Sequence, residues 1–576
     1  KNMFKVMLLT IIGKYNSANN SITASDIRLK ALEEITGITP IYSLKEGITQ
    51  KSFQNYIMKA LKFYQGHIQD EVPASLLIKH HLIHKELALN LIHFPCNNDD
   101  IEEALRYLKY EEFLKFQLTM QYIKLSRKKN IGVKKQFDQQ ILTQFINQLP
   151  FKLTPDQNAA VDEIINDLKK DTIMYRFIQG DVGSGKTVVG AIGLYANYLA
   201  GFQGAMMAPT EILASQHFKS LNILFKETGI NLALLTGRLS NKEKQNIYQD
   251  LDSGKINIVV GTHALFQDKV SYQKLGLVIT DEQHRFGVNQ RKALKEKGQQ
   301  VDFMVMSATP IPRTLAISLY GDMDVSTIKT MPTGRKKVIT DVIKSHSMKP
   351  ILNNLKKYLA SGGQCYVVCP LVAESEVIDS RDTTSIYEGM KAYFKGNYEV
   401  GLLHGKMDDE VKEHIMEDFK NNQIQILVST TVIEVGVDVS NANWMVIYNA
   451  ERFGLSQLHQ LRGRVGRGNE QGYCYLLSNS SSKEAIERLE FLKSCHDGFE
   501  VSYYDLKVRG PGDILGNQQS GLPSLIIGDI FKDINILEVS RKDAKELLES
   551  KSNDAVYLKL ISEIEEQLIN NNKYID

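Results

Sequence analysis

The chain has 576 residues and 43% hydrophobic content, ample for several packed cores and about three to five domains. Its net charge of +2 excludes a uniformly basic surface, so any nucleic-acid groove must be local. Five cysteines (Cys96, Cys365, Cys369, Cys474, Cys495) show no CxxC pairing and no His at zinc-ligand spacing, which argues for reduced thiols in the cytosol.

The opening residues Lys1 and Lys5 with Val6–Ile12 imitate a short signal peptide. Lys14 ends that apolar run after about seven residues, and no small-residue cleavage pattern follows. A β-strand is expected instead, with Leu8, Leu9, Ile11 and Ile12 suited to a sheet core. The chain starts without Met, so it reads as a piece that begins inside a domain. No stretch approaches the ~20 apolar residues of a membrane span. Residues 1–45 read as β-rich, ending at Pro40-Ile41-Tyr42. Residues 46–150 read as helical: Phe53, Tyr56, Ile57, Ala60, Leu61 and Tyr64 fall at helical spacing, and Glu102–Leu125 repeats the pattern.

From about residue 174 short apolar runs alternate with amphipathic stretches, which predicts buried parallel strands in α/β sheets. The runs include Phe177-Ile178, Ala205–Met207, Ile258–Val260, Leu277–Ile279 and Met304–Met306. A second series contains Tyr366–Val368, Gly401–Leu403, Ile426–Val428 and Met445–Ile447. Met331–Lys337 carries Pro, Gly and basic residues without apolar period, which marks a linker between two lobes, 151–337 and 338–485. Residues 486–576 return to helical patterning around a Gly/Pro-rich loop at 509–523. The tail Asp554–Asp576 is expected to pack as a helix through Leu558, Ile561, Ile564 and Leu568.

The strongest motif is Gly180-Asp181-Val182-Gly183-Ser184-Gly185-Lys186-Thr187, a GxxxxGK[ST] run between a strand and a helix. Its glycines let backbone N–H groups wrap phosphates at a helix N-terminus. Lys186 is expected on the β/γ-phosphates of ATP, and the Thr187 hydroxyl on Mg²⁺. Asp281-Glu282 follows the run Leu277–Thr280, at a strand's C-terminal edge where α/β sheets present ligands. Asp281 is expected to hold Mg²⁺ and Glu282 to orient or deprotonate the attacking water. In the second lobe, Gln460-Leu-Arg-Gly463-Arg464-Val-Gly466-Arg467-Gly468 spaces Arg464 and Arg467 by one helical turn, on one face. Planar guanidinium groups suit developing phosphoryl charge.

In this order the motifs resemble helicase superfamily 2. Phe151-Lys-Leu-Thr-Pro-Asp-Gln157 is similar to its adenine-reading motif, with Gln157 on the base and Phe151 stacking, and Gln460 joins the nucleotide-binding set. Ala208–Ala214 and Gly261–Ala264 resemble nucleic-acid-contacting motifs. Ser307-Ala308-Thr309 resembles the motif that couples hydrolysis to lobe movement, and Ser429–Asp438 a further coupling motif. Asp281–Arg291 (including His284) and Ser307–Ala316 are patterns shared by the RecG and Mfd families. Asp505-Leu-Lys-Val-Arg509-Gly-Pro-Gly-Asp-Ile-Leu-Gly516-Asn-Gln-Gln519-Ser-Gly521 resembles the translocation (TRG) motif of RecG, with Asn517 and Gln518 departing from its commoner side chains. Thr187–Gly190 and Pro40–Gln50 also favour RecG over Mfd.

The resemblance implies an α/β fold of two RecA-like parallel-sheet lobes. A partial OB-fold wedge (1–45) and a helical linker (46–150) precede them, and a helical-hairpin TRG region (486–576) follows. It also implies DNA coupling through His284, Thr309, Arg488, Arg509 and Gln519. The implied activity is ATP-driven translocation on duplex DNA, with branch migration of Holliday junctions and reversal of replication forks. R-loops and single-strand-binding protein are further implied partners of a cytoplasmic, monomeric enzyme. An RNA helicase, an Mfd-like polymerase displacer and a P-loop scaffold without turnover stay open as alternatives.

Overall fold

In the computed structural model of the chain, the described residues are 10–16, 21–28, 38–45, 47–128, 132–281, 300–308, 310–312, 315–316, 323–332, 336–344, 348–370, 376–430, 439, 441–466, 470–509, 525–550 and 552–570. Those within 1–119 and 523–571 form one compact unit, and those within 120–522 the other.

The first unit opens with an antiparallel pair, β1 (Thr10–Asn16) and β2 (Ser21–Arg28), whose register shifts between Ile12 and Gly13. Helix Gln50–Phe63 forms where apolar spacing predicts one, and the Thr49 hydroxyl caps it by accepting the Ser52 amide at 3.2 Å. Its apolar stripe is not a core, however: Tyr56 and Tyr64 are 64% and 55% exposed. The core lies instead on helix Asn98–Lys128, where Tyr107, Tyr110, Phe113, Leu114 and Phe116 are buried. Helices Ile534–Ser550 and Ala555–Asn570 complete this unit. The buried carboxylate of Asp543 bonds Lys79 Nζ (2.8 Å), His80 Nε2 (2.8 Å) and Tyr110 Oη (2.6 Å). The tail helix does pack, through Ile564 as expected and through Tyr557 and Leu560, whereas Leu558 is 51% exposed. Leu568 lies where side chains are not described.

The second unit holds two parallel sheets. The first is built from β3 (Tyr175–Gly180), β4 (Gln203–Met207), β5 (Leu232–Leu235), β6 (Ile258–Gly261), β7 (Leu275–Asp281), β8 (Asp302–Ser307) and β9 (Asp324–Ile328). Their order is β5-β6-β4-β7-β8-β3-β9. The second contains β10 (Ile339–Lys344), β11 (Cys365–Val368), β12 (Val400–Leu403), β13 (Ile426–Ser429), β14 (Trp444–Ile447) and β15 (Tyr473–Ser478), in the order β10-β15-β14-β11-β13-β12. Each apolar run named from sequence falls in one of these strands, because a parallel strand covered on both faces selects continuous Val, Ile, Leu and Met.

The first lobe's core extends ahead of residue 151. Helix Gln139–Asn147 buries Leu142 and Phe145 in it, and Lys135 is buried against Asp302. Sequence grouped these residues with the helical linker because their helical period says nothing about which core receives them. The region expected as one piece over 486–576 also divides. Leu489, Leu492, Cys495 and Val501 pack into the second lobe's core, whereas the described residues after 524 belong to the first unit. All five cysteines are free thiols.

Candidate active site between the two lobes

The turn from β3 into helix Lys186–Leu199 requires left-handed backbone at Gly183 and Gly185, both at φ 82°, where an L side chain is strained. Lys186 is 8% exposed and donates to the Gly180 carbonyl (2.8 Å) and the Asp181 carbonyl (3.0 Å). The Ser184 hydroxyl is buried without a hydrogen-bond partner among the described residues. A buried ammonium, an orphaned hydroxyl and a glycine-rich backbone at a helix N-terminus fit a chain of phosphates.

Gln157 lies behind this loop, 2% exposed. Its Oε1 accepts the Thr154 amide (2.8 Å) in a capping box, and its Nε2 donates to the Ser184 carbonyl (2.8 Å). Both ends of the amide are therefore engaged with protein groups, and the residue expected on the base braces the phosphate loop. Phe151 is 48% exposed, ahead of helix Pro155–Leu168. Thr187 stands half-buried beside Lys186, and Asp281 ends β7. A hydroxyl and a carboxylate are hard oxygen donors of the kind Mg²⁺ takes. Asp281 Oδ2 bonds Nε2 of His217 at 2.8 Å. Sequence reading missed His217: it sits 64 residues away, on helix Glu211–Leu224, so no local spacing reports it.

Asp181 bonds His459 Nε2 across the lobes at 2.7 Å. Burial pushes the Asp181 carboxyl up, but the His459 hydrogen bond, the Val182 amide and the Lys186 charge together hold it below the ordinary carboxylate range. Gly463 explains how closely the second lobe approaches, since a Cβ there would come within 2.9 Å of the Val182 Cβ.

One expectation fails in the second lobe. The helix expected to carry Arg464 does not reach it, because helix Leu455–Arg462 stops at Arg462 and Gly466 turns the chain at φ 70°. Glycines at 463 and 466 outweigh helical propensity there. Arg464 follows in the turn, half-buried, and Gln460 is half-buried on the helix. Arg488 donates to the Phe453 carbonyl at 2.7 Å. Glu282, His284, Thr309, Arg467 and Gln519 lie outside the described residues, as does the side chain of Arg509.

A second contact crosses the lobes farther along. Arg238 pairs with Glu211 (2.6 Å) on its own lobe and with Glu413 (2.5 Å) on the other.

Two parallel-sheet lobes, with a phosphate loop on one and an arginine-bearing turn of the other packed against it, define a helicase-type ATPase. Residues 154–317 match the DEAD/DEAH box helicase family and 350–469 the helicase conserved C-terminal domain; 495–570 match "ATP-dependent DNA helicase RecG, domain 3, C-terminal". The ATP-dependent DNA helicase RecG of Bacillus subtilis (strain 168) is 45% identical over 94% of this chain and 80% of its own length. That of Staphylococcus epidermidis (strain ATCC 12228 / FDA PCI 1200) is also 45% identical with the same coverage. A solved structure of RecG bound to a three-way DNA junction aligns at TM-score 0.72 and 41% identity, over 92% of this chain and 70% of that one. The RNA-bound Mss116p structure, 18% identical at TM-score 0.50 over 62% of this chain and 76% of that one, shares only the fold of the lobes.

The chain belongs to the RecG family of ATP-dependent DNA helicases.

Proposed function

We propose that this helicase uses ATP and Mg²⁺ to translocate on duplex DNA and acts on branched DNA, migrating Holliday junctions and regressing stalled forks. The observation that carries the ATP chemistry is the phosphate loop's buried Lys186 and its Ser184 hydroxyl, buried without a partner among the described residues, with Gly463 of the other lobe pressed on Val182. Branched DNA rests on the family and on the junction-bound relative.

In this reading Lys186 moves from the loop carbonyls to the β/γ-phosphates, and Thr187 and Asp281 hold the metal. Mg²⁺ when bound neutralises the phosphate oxygens. Glu282 orients water, while Arg464 and Arg467 meet the charge that develops on hydrolysis. Phe151 and Gln460 join Gln157 at the base, with Gln157 exchanging a loop contact for it. His284, Thr309, Arg488, Arg509 and Gln519 pass lobe movement to DNA. The proposed division is a wedge remnant (1–45), a helical linker (46–150) whose end at 135–147 packs on the first lobe, two lobes (151–337, 338–485) and a TRG region (486–576) whose start packs on the second lobe. The enzyme is proposed as a cytoplasmic monomer that meets single-strand-binding protein at forks. No helix among the described residues is long and apolar enough to cross a membrane.

ATPase rates of the purified chain with a three-way junction, linear duplex or RNA test the reading. Stimulation greatest by the junction is expected. Stimulation by RNA alone, or by linear duplex as strongly as by the junction, would count against branched DNA as the substrate.

A further inference from the structure

Helix Leu455–Arg462 is gripped at both ends by the two helices that follow the second lobe. At its start, the buried Asp505 carboxylate of helix Gly498–Arg509 accepts the Leu455 (3.2 Å) and Ser456 (3.1 Å) amides. Those are N–H groups a helix cannot satisfy internally. At its end Arg462, 4% exposed, donates from Nη1 to the carbonyls of Leu492 (2.6 Å) and Cys495 (2.8 Å), at the close of helix Lys483–Ser494.

The remaining bonds run to the phosphate loop. Arg462 Nη2 lies 2.8 Å from His459 Nδ1, and His459 Nε2 lies 2.7 Å from Asp181 Oδ1. A guanidinium has only donors, so Nδ1 must accept, and Nε2–H then donates to the carboxylate. The result is a continuous chain of hydrogen bonds linking the Leu492 and Cys495 carbonyls to Asp181, in which Arg462 donates both ways and His459 passes the polarity on to the carboxylate. Gly498 closes the circuit: a Cβ there would fall 2.7 Å from the Asp181 carboxylate. Asp181, His459 and Arg462 border a cleft of about 270 Å³ that Lys337 and His496 also line, which leaves the side chains room to change position.

We propose that His459 and Arg462 are positioning residues that report the state of the phosphate loop to the helical pair after the second lobe, with Asp505 holding their helix in register. Phosphates that draw Lys186 off the Asp181 carbonyl shift Asp181, and the shift travels through His459 and Arg462 to the Leu492 and Cys495 carbonyls. The same path runs backward, because coupling between two binding events is reciprocal. The inference rests on the reading of the chain as a motor on branched DNA.

The test measures affinity of the full chain for a synthetic three-way junction, with and without AMP-PNP. The ratio for the unaltered protein is expected to be about fivefold or more. In His459→Leu that ratio should collapse to about one while AMP-PNP affinity alone stays within about threefold. In His459→Gln, whose amide can still donate to Asp181, it should largely return. Gly498→Ala, which places a methyl on Asp181 from the other helix, should lower the ratio too, and it serves if His459→Leu does not fold. A ratio that survives His459→Leu and Gly498→Ala overturns the relay, and so does equal loss in the Leu and Gln variants. Failure of the unaltered protein to prefer the junction over linear duplex would overturn the branched-DNA reading instead.

Discussion

The two contacts that cross between the lobes use similar chemistry in different surroundings. At the phosphate loop, Asp181 and His459 have side chains 12% and 8% exposed. Farther along, Arg238 and Glu413 are 28% and 45% exposed. Water screens the second pair, so it is worth little whichever way the lobes move. The first sits where a lost partner leaves a buried polar group unsatisfied, and its geometry has consequences. Burial, not formal charge, separates a contact that transmits from one that merely touches.

The sharpest test lies at the buried end. Lys186→Ala removes the buried ammonium held on the loop carbonyls and should cut DNA-stimulated turnover by ~10²–10³ or more. Near-normal hydrolysis would displace the nucleotide site from this loop.

A second comparison calibrates burial inside one lobe. Lys135 is 1% exposed, bonded to Asp302 and to the Gly276 carbonyl (2.9 Å). Burial pulls the lysine down and the carboxyl up, each toward its uncharged form. Lys135→Met should destabilise the protein by about 3–5 kcal/mol, as removal of one buried partner does. Denaturant titration measures it, and a loss under about 1 kcal/mol would mean that burial is a poor guide here.

Asp543 extends the rule to the first unit. Burial raises its carboxyl, but bonds from Lys79, Tyr110 and His80 outweigh that and hold it below the ordinary range. A depressed carboxyl contributes its stability above the ordinary value near 4, and loses it as pH falls through the lower folded value. Asp543→Asn should therefore cost about 1–3 kcal/mol at pH 7. The gap to the unaltered protein should narrow as pH falls below about 4. Thermal melts across that range check it; a constant gap would assign the loss to packing.

The smallest effect belongs to the exposed pair. Arg238→Ala should change stability by about 0–1 kcal/mol and fade further in high salt. A larger, salt-insensitive loss would erase the distinction between the two lobe contacts.

What the residues disclosed follows the same line. Central strands such as β6, β7, β11 and β14 are covered on both faces and stand out as apolar runs. Among the strands of the two parallel sheets, those not singled out are β5, β9, β10 and β15. The first three are sheet edges, and β15 adjoins β10. An edge needs no continuous apolar run: β10 reads Ile-Thr-Asp-Val-Ile-Lys. The phosphate loop was legible because its chemistry is contiguous. His217, His459, Arg462 and Asp505 were not, since each acts on a partner brought close only by the fold. Arg464 misled for a local reason, two glycines where a helix was expected.

The Asp543 cluster carries a consequence for how the protein is made. Lys79 and its carboxylate partner are 464 residues apart in sequence, with both parallel sheets between them. At ~5–20 residues per second, a ribosome needs roughly 25–90 s to deliver the second after the first. Throughout that interval Tyr107, Phe113 and their neighbours wait without the helices that complete their unit, while the lobes can already fold. The helices translated early therefore finish folding late, and that window is when a chaperone has a surface to hold.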